Sequence, residues 1–361
     1  MAQKHLVTQA TISIAGYQFT ASPEHTEKPG SIVSIRVEFP DQRSSRTVIT
    51  VRDVDNMTGQ PFPIYNALPD PLTDPDEPFE VILGWEDDTQ YQVFQGLFHA
   101  KEVRAFPHRT ELVGIHETHK MKREGKSRHW TGITLTQLMN QLASEYNVTV
   151  RLQPQLAAEP FMQWPVDWIG QGLWGEQSNW QLLKATCDRF GLIMCSSVPG
   201  VVDIREDKSD LTQFTLTWGV DEIKTFESRN ESRTHAKSGK RKGHGQENIK
   251  GQRSQHEDGQ SQDGTRNLHT VPPRTPKKGG GGPYKDPFHK ASVTRLAHRL
   301  GQVEGRSLKI GIPLRPDLNN LQRCNLSQFG PRLDGVWELA SVEHEISAGR
   351  NDTRFAGWRN P

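Results

Sequence analysis

The sequence predicts an α+β protein that is mainly β, and three observations carry that expectation. Runs with period-two alternation dominate both ends of the 361-residue chain, two helical periodicities sit in its middle, and a basic stretch poor in apolar residues interrupts its last third. A chain of this length holds two or three domains, each able to bury a core of its own.

The first third reads as strands. Val33-Ser34-Ile35-Arg36-Val37-Glu38-Phe39 alternates apolar with polar residues, the period of a half-buried strand. A polar turn leads to Thr47–Val51, which predicts a hairpin. Phe79–Trp85 and Tyr91–Phe94 flank Asp87-Asp88-Thr89 as a second hairpin, and Leu112–Ile115 adds a strand. Pro61 to Pro78 contains six prolines, a density that excludes a central strand and predicts a long stiff surface loop.

The middle changes period. Leu135, Leu138, Met139 and Leu142 share one helical face behind Thr134 as N-cap. Ser178-Asn179 caps a second helix carrying Leu182, Leu183, Thr186 and Phe190, and Gly191 ends it. Leu192–Met194 and Val201–Ile204 then read as a hairpin around Pro199-Gly200. The final third returns to strands at Phe214–Trp218, Ile223–Phe226, Leu308–Ile312, Val336–Ile346 and Thr353–Phe355, with a helix expected over Ser292–Leu300. The expected layout is a β domain over 1–117, a small α/β domain over 118–213 and a second β domain over 214–361.

Charge separates one segment from the rest. Residues 232–290 hold thirteen Lys/Arg against five Asp/Glu, a net of +8, and five of the fourteen histidines. The remainder holds 31 basic and 38 acidic residues, a net of −7. With almost no large apolar side chains the segment cannot build a core, so it reads as a low-complexity insertion in the second β domain. Ordering it needs a partner surface, most plausibly an acidic one, and it is expected to be open to trypsin without one.

The same residues bound the function. No stretch approaches the twenty apolar residues of a membrane-spanning helix, and Met1 to His5 lack the basic-then-apolar run of a signal peptide, so folding in a cytoplasm is expected. Cys187, Cys195 and Cys324 are odd in number and show no CxxC spacing, which predicts buried free thiols. His116-Glu117-Thr118-His119 invites comparison with zinc proteases, but metalloprotease helices need histidines four apart. Here they are three apart after a strand, so no metal site is assigned. Gly279–Gly282 lacks the GK[ST] ending of a phosphate loop, and no catalytic Ser, Cys or paired carboxylates stand in a recognisable setting. No catalytic, cofactor or metal residues are predicted. Lys240-Arg241-Lys242 and Lys277-Lys278 give a nucleic-acid reading of the insertion, weakened by its few aromatics, Tyr284 and Phe288 near its end. Trp164, Trp168, Trp174 and Trp180 read as core or interface packing, with a sugar platform as the alternative.

Three stretches carry a family resemblance. Phe79 to Phe98, ending Val93-Phe94-Gln95-Gly96-Leu97-Phe98, is similar to a strand, polar turn and "vFxGxv" strand. Gln177-Ser178-Asn179-Trp180-Gln181-Leu182-Leu183 through Leu192 resembles a "q.seSdw.fl" helix, with Asn179 where an aspartate is usual. Gly335 to Thr353 resembles a "G.w.v..v.H.i..g..yT" hairpin, with Asp352 where an aromatic is usual. Their order resembles the phage late control D family, baseplate hubs related to the N-terminal part of VgrG spike proteins. The resemblance implies two similar tube-type β-barrels with the same strand order, and the small α/β domain packed outside them. It also implies a homotrimeric, non-enzymatic structural protein in the virion tail baseplate of a contractile injection machine, made in the host cytoplasm. Three chains with two barrels each would adapt a sixfold tail tube to a threefold central spike. The implied partners are the tail tube or tube-initiator protein, the central spike protein, and possible baseplate wedge and tape measure proteins. A tail-associated cell-wall hydrolase and a nucleic-acid-binding protein are the alternatives.

Overall fold

Alternation becomes strand throughout the first third. β1 (Val7–Ile14) and β2 (Tyr17–Ala21) form a hairpin, as do β3 (Ile32–Pro40) with β4 (Arg46–Val51) and β5 (Pro78–Trp85) with β6 (Gln90–Arg104). β7 (Arg109–Ile115) joins β4 to β6. The structure is a computed structural model that describes residues 7–21, 32–52, 68–74, 76–85, 89–104, 109–123, 125–126, 128–163, 166–170, 177–230, 306–347 and 350–359. The basic segment 232–290, the helix expected over Ser292–Leu300, Trp164 and Trp174 lie outside the described residues, as do residues 61–67 and 75 of the proline-rich stretch. Residues 68–74 of that stretch turn around Asp70, which accepts the Leu72 N–H at 2.9 Å, and β5 begins at Pro78.

The small α/β domain follows a 3-10 turn over Glu117–Lys122. Its strands are β8 (Gly125–Lys126), β9 (Arg128–Ile133), β10 (Thr149–Leu152), β11 (Val166–Gly170), β12 (Gln177–Ser178), β13 (Ile193–Cys195) and β14 (Val201–Arg205). β13 and β14 are the expected hairpin, and β10 adds to β14 in parallel. Helices α1 (Leu135–Ser144), α2 (Pro154–Ala157) and α3 (Asn179–Phe190) cover them. Both long helices start with a reciprocal capping box, Thr134 with Gln137 and Ser178 with Gln181, which satisfies N–H groups that the first turn leaves without partners. Gly191 closes α3 at φ 66°, a left-handed conformation that favours glycine. The apolar faces of α1 and α3 meet in one core with Phe190, Val202 and Ile204.

Asn179, an aspartate in the family pattern, has a physical reason to be an amide here. Its Nδ2 donates to the Leu142 carbonyl at 2.8 Å and to Glu145 Oε2 at 3.2 Å, tying α3 to the C-terminus of α1. An aspartate offers no donor and sets its charge beside Glu145. Asn179→Asp is therefore expected to cost about 2 kcal/mol in urea unfolding, the scale of an unsatisfied buried acceptor plus a like-charge contact.

The second β module comprises β15 (Gln213–Thr217), β16 (Thr225–Asn230), β17 (Arg306–Pro313), β18 (Arg323–Ser327), β19 (Gly335–Ser347) and β20 (Arg350–Arg359). Its strand order repeats that of the first. The path β3-β4-β7-β6-β5-β1 of the first module corresponds, strand for strand in chain order, to β16-β17-β20-β19-β18-β15. Both copies carry a one-residue bulge at the same place, at His99 in β6 and Ala340 in β19. Both place a glycine opposite the residue before the bulge, Gly114 facing Phe98 and Gly357 facing Leu339. A methyl at Gly114 would lie 2.7 Å from Thr47 Cγ2 and 2.8 Å from the Phe79 ring, so close packing at that point excludes a side chain. Two departures lie at the end of the path among the described residues: the last pair is antiparallel in β5–β1 and parallel in β18–β15, and β2, paired with β1, has no counterpart beside β15.

The two β modules are not separate sheets. β3 pairs antiparallel with β19, from Ser341↔Pro40 to Ser347↔Ser34, and merges both modules into one 13-stranded sheet over one hydrophobic core. Among the described residues no strand pairing closes either module on itself. An edge strand left bare invites aberrant pairing, and here β3, an edge strand of the first module, is covered by the stretch of β19 beyond its ladder to β18.

Candidate functional site

Two joints between parts of the chain stand out among the described residues. The first is the β3–β19 seam. Val37, Phe39, His344 and Val342 face the core, so the intervening residues face outward as charges. Arg36 Nε lies 3.0 Å from both Glu343 Oε1 and Glu38 Oε1, and Arg354 lies 2.8 Å from Glu345. Burial opposes the Arg36 charge, but Glu343, Glu38 and Glu345 outweigh it and raise the guanidinium's pKa. Exposed ion pairs contribute little stability each. Here Arg36 sits between Glu38 and Glu343, which the register sets directly opposite one another, and offsets their like charge.

The second joint locks three parts of the chain together. Lys208, just after β14, is fully buried, and its Nζ donates to Asp41 Oδ1 at 2.9 Å, Asp41 Oδ2 at 3.0 Å and the Asn320 carbonyl at 2.7 Å, as well as to the Leu339 carbonyl. Asp41 belongs to the β3–β4 turn, Asn320 to the β17–β18 connection and Leu339 to β19. Asn320 Nδ2 and the Cys195 thiol also donate to Asp41 Oδ1, at 2.8 and 3.2 Å. Burial would lower the Lys208 pKa, but Asp41 and its neighbours raise it above the ordinary value, so the ammonium is charged. Burial and Asp41 push the Cys195 thiol well up, which leaves it a hydrogen-bond donor rather than a nucleophile. A second contact, Ser45 with Ser196, fastens the start of β4 to the small domain: the Ser45 hydroxyl donates to the Ser196 carbonyl at 2.7 Å.

The residues that sequence reading weighed for chemistry fall into packing roles. His116 caps the 3-10 turn and makes a 2.7 Å hydrogen bond from Nε2 to the Val198 carbonyl, while its Nδ1 accepts the Thr118 N–H. His119 stacks edge-on against His99, with ring centroids 4.3 Å apart. Among the described residues no group of three His, Cys, Asp or Glu is placed to hold a metal. Cys187, Cys195 and Cys324 are all free and buried. Trp180 is buried, with the Lys122 ammonium 5.0 Å from its ring centroid. Asp352, where the family pattern has an aromatic, is buried and ion-paired with Lys224.

An aromatic group marks the far edge of the second module. Trp218, Phe226 and Phe329 contact one another with centroids 5.3 to 6.3 Å apart, and Trp218 is half exposed. Sequence reading reached neither this group nor Lys208 and Asp41. Lone polar residues in turns carry no periodicity, and their convergence is a product of the fold.

The fold, a duplicated β module with a small α/β domain between the copies, is similar over nearly its whole length to solved phage tail and type VI secretion proteins. Along 98% of its length the chain is similar to the 43 kDa tail protein of prophage MuSo2 from Shewanella oneidensis, covering 97% of that chain with a TM-score of 0.63 at 12% identity. The tail protein from Neisseria meningitidis MC58 matches over 97% of this chain and 96% of its own, with a TM-score of 0.55 and 11% identity. The E. coli c3393 protein, a type VI secretion component described as similar to the T4 tail proteins gp27 and gp5, matches over 97% of this chain and 79% of its own, with a TM-score of 0.54 and 8% identity. No protein-family model matches the chain, and no curated protein is detectably similar in sequence.

Proposed function

We propose that the chain is a structural, non-enzymatic hub protein of a contractile tail baseplate, located in the virion, that assembles as a homotrimer. The observation that carries this reading is the duplicated strand order joined edge to edge within one sheet. Two similar modules per chain give six per trimer, which suits contact with a sixfold tail tube. The threefold axis of the trimer suits a trimeric central spike. Full-length likeness to tail proteins supports the setting, and the joints described above are rigid connections rather than reactive groups. The tube or tube-initiator protein and the spike are the expected partners, with wedge and tape measure proteins as further contacts. We also place the domain limits at residues 117 and 213, the small domain standing between the two β modules.

Mass measurement of the purified protein tests the reading. A species of three times the 40.8 kDa chain mass is expected, stable to dilution into the low micromolar range. A monomer at all concentrations would overturn it.

A further inference from the structure

We infer that Arg43, Lys122 and Lys184 form a docking site for a short acidic segment of a partner protein, where the first β module meets the small domain. The inference goes beyond the hub reading and holds for any number of chains in the assembly. Three elements bring the side chains together. Arg43 lies in the β3–β4 turn, Lys122 ends the 3-10 turn and Lys184 stands on α3. The β3–β4 turn is fixed against the small domain: Gln42 Nε2 donates to the Leu192 carbonyl at 2.9 Å, and the Ser196 hydroxyl donates to the Arg43 carbonyl at 3.1 Å. The Ser44 and Thr118 hydroxyls, 2.9 Å apart, tie the same turn to the 3-10 turn. On α3, Trp180 and Lys184 are one helical turn apart and share a face. The Lys122 ammonium stands 5.0 Å from the Trp180 ring centroid.

This cluster lacks a counter-ion. Lys120 and Arg123, on either side of Lys122 in sequence, share Asp76 at 4.0 and 2.6 Å. Among the described residues no carboxylate pairs with Arg43, Lys122 or Lys184. The Trp180 ring attracts a cation but offers no acceptor for its N–H groups. Burial, joined by the like charges of Lys184 and Arg43, lowers the Lys122 pKa. Other joints in the chain match their cations: Lys208 meets Asp41, Arg36 meets Glu38 and Glu343, and Lys224 meets Asp352. At this one the anion has to come from outside the described residues.

Charge and shape favour a peptide carboxylate over a nucleic acid. Outside residues 232–290 the chain carries a net charge of −7, which repels a long polyphosphate. Nucleic-acid affinity accumulates over many phosphate contacts along a strand, and this cluster is compact. Lys122 is half-buried, within reach of a thin acidic side chain, and the exposed Arg43 guanidinium can take a carboxylate with both arms of its fork.

Lysine footprinting of the full-length protein tests the site. The basic stretch 232–290 also attracts anions, so acetylation rates are read residue by residue by mass spectrometry. An octaglutamate peptide at about ten times its Kd should slow acetylation of Lys122 and Lys184 about tenfold, as occupied sites are shielded. The exposed Lys309 on β17 should be unaffected. Arg43→Gln should keep the wild-type urea midpoint and weaken binding about tenfold, so that the same peptide concentration slows the two lysines only about twofold. An eight-nucleotide thymidine oligomer should leave both rates unchanged. Rates at Lys122 and Lys184 that the peptide leaves unaltered, or that it slows equally in Arg43→Gln, overturn the site. Slowing by the oligonucleotide as strong as that by the peptide, or equal slowing at Lys309, overturns the acidic-peptide reading. A trimer that fails these tests leaves the proposed function standing.

Discussion

Replacing Lys208 with methionine is expected to cost about 3–5 kcal/mol and to loosen the small domain from both β modules, the cost of removing one partner of a buried ion pair. Lys208 occupies a site with four acceptor atoms, the two Asp41 oxygens and the carbonyls of Asn320 and Leu339. Methionine matches its length but leaves the Asp41 carboxylate buried, with only Asn320 and Cys195 donating to it. Those acceptors belong to the β3–β4 turn, the β17–β18 connection and β19, so one deleted ammonium frees three contacts at once. Urea unfolding followed by tryptophan fluorescence measures the loss. Adding Asp41→Asn to Lys208→Met should recover part of it, because the stranded charge is then gone. If Lys208→Met unfolds at the wild-type urea midpoint, the junction is not what fixes the small domain.

Local order was legible in the sequence where a short window contained the cause. The alternation in Val33–Phe39 became β3, and Thr134 and Ser178 cap the helices that their spacing predicts. Three kinds of feature lay beyond such windows. β18 offers few apolar residues to a pattern search, since it buries only Cys324 and Leu326, whereas β1 carries a short alternation of Ala10, Ile12 and Ile14 that went unread. β6 runs to Arg104, ten residues past the predicted Phe94, because the bulge at His99 breaks the alternation while the ladder to β7 continues. The β3–β19 pairing joins residues about three hundred positions apart, which no local period encodes. The family resemblance anticipated two modules of like order, but the merging of their sheets and the Lys208 junction come from tertiary structure alone.

Acidification is expected to destabilise the protein through two buried histidines. His344 is fully buried, with Nε2 2.9 Å from the Leu318 carbonyl and Nδ1 2.9 Å from Thr353 Oγ1. A carbonyl needs a donor, so Nε2 carries the proton and Nδ1 accepts from the Thr353 hydroxyl, whose oxygen in turn accepts the Arg315 N–H at 2.7 Å. His116 is arranged alike, donating to Val198 and accepting from Thr118 at Nδ1. A second proton on either ring would meet a donor already pointing at it. Burial lowers both pKa values from 6.5 to about 4, outweighing the hydrogen bonds to the Val198 and Leu318 carbonyls, which favour the charged ring. Between pH 6.5 and 4 the unfolded chain therefore binds protons that the folded chain refuses, and stability falls with pH by roughly 2.5 kcal/mol per histidine by pH 4.5. Glu338 works in the opposite sense: burial raises its carboxyl to about 7, so the folded state takes up its proton first and gains stability over the same range. One histidine is thus nearly offset, and a net loss of about 2 kcal/mol from pH 7.5 to 4.5 remains from these three groups. His344→Gln, whose amide can still donate to Leu318, should start less stable at pH 7.5 yet lose about 2.5 kcal/mol less than wild type on the way to pH 4.5. Parallel pH dependences for the two proteins would show that His344 does not titrate in this window.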